Sequence, residues 1–158
     1  MRVGQGFDVH RFSDDPERAL VLGGVVVAEH RGLDGHSDAD VLAHAVGDAL
    51  LGAAGLGDLG TRFGTDDPLV RGASSLSLLA QIVADVQDQG FRVTNVDATV
   101  ICETPRLSGL RSEMAARLSS VVEAPVSVKA TTMERLGPIG ASEGVAAMAV
   151  ALLEGDPT

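Results

Sequence analysis

Asp8 and His10 stand two apart in a segment, Arg2 to His10, that reads as a β-strand. Successive side chains on a strand point to opposite faces, so these two leave the same face. A carboxylate and an imidazole placed this way are natural ligands for zinc or another borderline divalent ion. A third ligand must come from elsewhere, and His44 offers it from a helix, off the apolar stripe. Asp40 and Asp48 lie one turn before and after His44 on that helix surface. Either carboxylate can accept the second ring N–H and fix the tautomer. Two histidines and one carboxylate leave a fourth tetrahedral position open, which marks a catalytic rather than a structural site. Such a centre carries about +1 charge and suits an anionic oxygen. The plainer alternative is a polar pair at a strand end and a half-exposed helix histidine.

Other segments offer related chemistry. His36 and Ser37 precede the His44 helix, where backbone N–H groups and the helix dipole favour phosphate; a loop or capping role is the alternative. Gly55 to Gly60 spells G-x-G-x-x-G, but a helix precedes it where the dinucleotide fingerprint needs a strand. Its Asp58 can still hold a sugar hydroxyl. The run K-A-T-T-M-E places Lys129, the only lysine, near Thr131, Thr132 and Glu134. Threonine hydroxyls donate to phosphate, and Glu134 suits a harder divalent ion such as Mg²⁺. His30 reads as a surface residue.

These residues need elements to position them. Leu20–Leu22 and Val25–Val27 flank Gly23-Gly24 as a hairpin. Ser37 or Asp38 caps a helix running to about Ala54, with Val41, Leu42, Ala45, Val46, Ala49, Leu50 and Ala53 as its apolar stripe. A Gly-rich loop, Gly55 to Gly60, and an acidic loop through Asp66, Asp67 and Pro68 follow. Ser74 to Gln89 reads as a helix stopped by Gly90, Val96 to Cys102 as a strand ended by Pro105, Ser108 to Val122 as a helix and Val126 to Thr131 as a strand. Glu143 to Glu154 is ambiguous: alanines favour helix, β-branched residues strand. The alternation indicates an α/β or α+β sandwich, with sheet on one side and helices on the other.

With 158 residues, 45% hydrophobic, the chain has the composition of one globular domain spanning residues 1–158. Trp and Tyr are absent, so an aromatic base-stacking platform is not expected. A net charge of −10 argues against nucleic acid and anionic membranes as partners. It also means that binding a phosphorylated substrate requires imported positive charge, most simply metal ions. Cys102, the single cysteine, allows no internal disulfide. With no signal-type segment, and with the apolar run Val145 to Leu153 about half a membrane span, a cytoplasmic protein is expected.

Taken in order, G-x-G-F-D-V-H, H-S-D-x-D-V-x-x-H, D-A-L-L-G-A-A-G-L-G-D-L-G, N-V-D-A-T-V-I, V-K-A-T-T and G-x-x-E-G resemble the 2-C-methyl-D-erythritol 2,4-cyclodiphosphate synthase family over nearly the whole chain. The resemblance implies an α+β sandwich whose mixed β-sheet has helices on one face, three copies of which pack their sheets around a trimer axis, with active sites between subunits. On this ground Glu143 to Leu153 is expected to be a strand. It implies Zn²⁺ on Asp8, His10 and His44, with Asp48 behind His44, and Mg²⁺ or Mn²⁺ on Glu134 and the substrate phosphates. It further implies that Asp8, His10 and Glu134 touch the substrate through these ions, that His36 and Thr132 steady the transition state, and that Ser37 contacts substrate. Asp58 and Gly60 would meet its sugar-like part, with Phe63 and Asp67 beside them. A cytidine pocket would be formed by the segment Cys102 to Leu107, including Pro105 and Arg106, with Ala130 and Thr131.

Two departures from the family pattern stand out. Thr65 replaces an acidic loop position, while Asp67 remains. Pro138 and Ala141 replace an aromatic residue and an arginine that faces the axial cavity, so weak isoprenoid diphosphate binding there is expected. A zinc phosphohydrolase using water, and a non-catalytic CDP-binding trimer, are the competing readings.

Overall fold

Two glycines on the first strand decide how closely a helix can approach it. In a computed structural model describing residues 1–64 and 71–155, β1 (Arg2–Arg11) turns Gly4, Gly6, Asp8 and His10 to one face. A β-carbon on Gly4 would lie 2.0 Å from the carbonyl oxygen of Ala49 on α1 (Val41–Ala54). Bare backbone is what lets α1 rest directly on β1.

The sheet has the order β1–β6–β4–β5, with β4 spanning Phe91–Ile101, β5 Val126–Thr131 and β6 Gly144–Gly155. Central β6 is antiparallel to β1 and β4, whereas β4 and β5 are parallel, so the sheet is mixed. Helices α1, α3 (Ser75–Asp88) and α4 (Arg111–Val122) pack together over it; short helices α2 (Leu59–Phe63) and α5 (Gly137–Gly140) complete the chain. Residues in register across the sheet, Gly4–Ala151–Val96–Val126 and Gly6–Ala149–Ala98–Val128, line the helix-facing side. Alanines at 147, 149 and 151 keep central β6 thin beneath α1. Hydrogen bonding on both edges makes this Ala-rich segment a strand despite its local helical preference.

The opposite face is open. Val3, Phe7, Val9, Met148 and Val150 lie exposed on it, Val3 by 69%. Lys129 lies there too, paired with Asp97.

A separate hairpin joins β2 (Ala19–Leu22) to β3 (Val25–Arg31) through Gly23 and Gly24, at φ +57° and +74°. Both left-handed residues match a two-residue type I′ turn. The turn is tied to α1 by Asp40, which corrects the sequence expectation of a Ser37 or Asp38 cap. Fully buried, Asp40 accepts from the N–H groups of Gly23 (2.8 Å), Gly24 (2.6 Å) and Ala43 (3.0 Å). Burial pushes its carboxyl pKa up, while the three donors act against this.

Other boundaries also shift. β4 begins at Phe91 rather than Val96, because its first half pairs with β6 before β5 joins it. Part of the Gly-rich loop folds as α2, capped by Asp58 through the Thr61 N–H. α4 starts at Arg111 rather than Ser108.

Candidate metal centre and flanking pockets

β1 and α1 bring the three expected ligands together. Asp8 Oδ2 lies 2.9 Å from His44 Nδ1 and 3.1 Å from His10 Nε2, and the two ring nitrogens are 3.3 Å apart. Tetrahedral bonds of about 2.0–2.2 Å set ligand atoms about 3.3–3.6 Å apart, so the cluster lies within a few tenths of an ångström of a metal site.

Proton accounting favours the same conclusion. His10 Nδ1 faces the carbonyl oxygen of Asp34, which can only accept, so that nitrogen carries a proton. His44 Nε2 lies 2.9 Å from Ser75 Oγ, whose own proton goes to Asp38. With the outer nitrogens protonated, loss of the inner protons would leave both rings presenting lone pairs to Asp8. Three acceptors facing each other call for a cation. Without metal, burial opposes charge on Asp8, yet hydrogen bonds from His10 and His44 hold its carboxyl well below the usual range. Burial likewise opposes the charge on His10, but its hydrogen bond to Asp8 prevails and raises its pKa. A proton thus partly serves as the missing cation.

His44 is not supported as expected. Asp40 is turned to the hairpin, and the carboxylate of Asp48 accepts from the Leu59 N–H at 2.8 Å, which anchors α2 to α1. Burial raises the pKa of Asp48. Both nitrogens of His44 are already taken, by the cluster on one side and Ser75 on the other. Ser75 is 31 residues from His44, and no local spacing announces it.

The centre opens into a pocket of roughly 410 Å³ that also contains His36, Ser37, Asp48, Asp58, Gly60 and Phe63. His36 is exposed there, whereas the buried Ser37 hydroxyl accepts from the Ala39 N–H. The expected contact Asp67, with Thr65, Asp66 and Pro68, lies outside the described residues.

A second pocket is lined by Cys102, Glu103, Pro105, Arg106, Leu107, Ala130 and Thr131 of the expected cytidine group, and Thr132 joins them. Burial, and next the nearby Glu103, push the Cys102 thiol up to about 11, which makes it a wall rather than a nucleophile. Thr132 donates to Glu134 at 3.1 Å. Glu103, expected only as part of the cytidine segment, accepts from the N–H groups of Met133 (3.0 Å) and Arg135 (3.1 Å), bracketing Glu134. His30 is not a free surface residue either: it packs on Phe12 and reaches Thr104 at 3.2 Å.

The two pockets share no residue. Val9, Ala146, Ile101 and Thr131 form one row in register across the sheet, with the metal cluster beside one end and Thr132 beside the other. Three strand spacings put these edges about 14 Å apart.

Fold and site together define a mixed α+β sandwich bearing an Asp/His/His group that could hold a metal ion. The YgbB family profile matches residues 1–154, and the chain belongs to the YgbB family. The 2-C-methyl-D-erythritol 2,4-cyclodiphosphate synthase of Syntrophobacter fumaroxidans is 54% identical over 159 residues, covering 99% of both chains. The bifunctional enzyme IspD/IspF of Desulforudis audaxviator is 55% identical over 96% of this chain, which spans only 39% of that protein. Among solved structures, bifunctional IspDF from Campylobacter jejuni superposes with a TM-score of 0.92 at 39% identity, over 99% of this chain and 42% of that one. The CDP complex of IspF from Plasmodium falciparum does so with 0.84 at 32% identity, over 98% of this chain and 96% of that one. Among the described residues no helix is long and apolar enough to cross a membrane.

Proposed function

We propose that the chain converts 4-diphosphocytidyl-2-C-methyl-D-erythritol 2-phosphate into 2-C-methyl-D-erythritol 2,4-cyclodiphosphate and CMP, a phosphorus–oxygen lyase step in non-mevalonate isoprenoid precursor synthesis. The observation that carries this reading is the convergence of three acceptor atoms, from Asp8, His10 and His44, in a chain matched end to end by a synthase of that name. The substrate's 2-phosphate oxygen bonds to the β-phosphorus, the β-phosphorus bond to the bridging oxygen breaks, and its electron pair leaves with CMP. No side-chain nucleophile is needed, only alignment and neutralisation of charge.

When bound, Zn²⁺ on Asp8, His10 and His44 and Mg²⁺ or Mn²⁺ on Glu134 supply positive charge that polarises the diphosphate. The residues around them orient the substrate. Ser37, Asp58, Gly60, Phe63 and Asp67 hold the methylerythritol end, and His36 and Thr132 steady the reacting phosphates. Cys102, Pro105, Arg106, Leu107, Ala130 and Thr131 enclose the cytidine, where backbone groups read the base edge.

The active unit in this reading is a cytoplasmic homotrimer of one-domain subunits. Two observations support it: the open apolar sheet face, and the placement of the two half-sites on opposite edges of one sheet. A neighbouring copy then supplies the nucleotide half.

Incubating protein and substrate in ¹⁸O-water tests the reaction. Unlabelled cyclic diphosphate and CMP are expected, and His44→Ala should lose both zinc and CMP release. A linear product carrying solvent oxygen would make the protein a phosphohydrolase; CDP binding without turnover would make it a sensor.

A further inference from the structure

We propose that Asp38 and Ser75 are positioning residues for the metal centre, a brace that fixes the tautomer and ring plane of His44. The inference rests on the reading of Asp8, His10 and His44 as metal ligands and adds what holds the third one. Asp38 spends both carboxylate oxygens on Ser75: Oδ1 accepts its hydroxyl proton and Oδ2 accepts its backbone N–H at 3.1 Å. A serine hydroxyl has one proton to give. Since Asp38 takes it, Ser75 Oγ meets His44 Nε2 as an acceptor at 2.9 Å. His44 therefore carries its proton on Nε2, and Nδ1 is left bare toward Asp8 and His10.

The surroundings over-determine this arrangement. Ser37 and Ser75 are 5% and 2% exposed, so water does not compete for their hydroxyls. Ser37 Oγ accepts from the Ala39 N–H at 3.1 Å and lies 3.2 Å from His44 Nε2 and 3.3 Å from Ser75 Oγ. Because Ser75 has no proton left for Nε2, an Nε2–H donor and a Ser37 proton directed to Ser75 satisfy all three atoms together. Ala39 sits at φ +56°, a left-handed conformation that a non-glycine residue keeps only where its neighbours enforce it. The Asp38 N–H donates to the Ala73 carbonyl at 3.1 Å, pinning the start of α3 to the same segment. The brace thus joins the His44 helix to α3.

Two measurements test it. In long-range ¹H–¹⁵N spectra of the zinc-loaded wild-type protein, His44 should keep its proton on Nε2 with Nδ1 bound to the metal; a proton on Nδ1 with Nε2 metal-bound would overturn the proposal. Competition with a zinc chelator should give Ser75→Ala and Asp38→Asn affinities about 10–100-fold below wild type, as for other groups that orient a metal-bound histidine. Ser75→Ala keeps the backbone N–H on Asp38, so the metal-free protein should still fold, and its Co²⁺ absorption spectrum should change. Wild-type affinity and spectrum in Ser75→Ala would overturn the brace. Absence of stoichiometric zinc in the wild type would instead overturn the centre itself.

Discussion

A β-carbon on Gly6 would lie 1.9 Å from the carbonyl oxygen of Ala45, the residue after His44. Gly6 shares its strand face with Asp8, so this contact sets the distance between two of the proposed ligands. A backbone overlap cannot be relieved by a rotamer change, and α1 must move. Gly6→Ala should lower stability by about 3 kcal/mol in urea unfolding and reduce zinc content. Unchanged stability with full zinc occupancy would refute the argument.

Glu134 sits at φ +51° in a loop held by Glu103, apart from the Asp8, His10 and His44 cluster. Glu134→Gln should therefore retain zinc but lower the rate of CMP formation by about 10²–10³-fold, the loss typical of one missing charge-stabilising group. Metal analysis beside a Mg²⁺ titration of the rate distinguishes this from general damage.

Phe7 is 52% exposed on the open sheet face. Placing a charge there, as Phe7→Glu, should leave the fold and zinc content intact while dispersing the trimer in sedimentation. CMP release should fall with it, because one chain holds the two pockets on separate sheet edges. A trimeric Phe7→Glu protein with full activity would contradict both the interface and the shared site.

The raised Cys102 pKa gives a pH test. Its folded value, about 11, lies above the ordinary thiol value of 9.0, so the folded chain binds the thiol proton more tightly. The associated stability is fully present below pH 9 and declines as pH rises toward 11. At pH 8 the thiolate fraction is about 100-fold lower than in the unfolded chain, and iodoacetamide should label the native protein correspondingly slowly. Rapid native labelling at pH 8 would count against a walled-in thiol.

The Asp8, His10 and His44 cluster was legible in the sequence because its placement follows local periods, two on β1 and about 3.6 on α1. The same rules gave most elements and missed what depends on distant partners. Asp40 displaced Ser37 and Asp38 as the helix cap because the hairpin turn, 16 residues earlier, offered it further donors. Ser75 replaced Asp48 and Asp40 as the partner of His44 by packing between α1 and α3, which no spacing encodes. The strand state of Gly144–Gly155 came from family resemblance, since its alanines carry little local preference for a sheet. The hold of Glu103 on the Glu134 loop stayed hidden because its partners are backbone amides, which have no side-chain signature.

The row running from Val9 to Thr131 also bears on how damage spreads. In the proposed trimer a chain lends its metal half to one centre and its nucleotide half to another, and so has no private active site. A copy defective in both halves silences its own centre and a neighbour's, so co-expressed faulty chains should act dominantly, poisoning assemblies that still contain sound subunits.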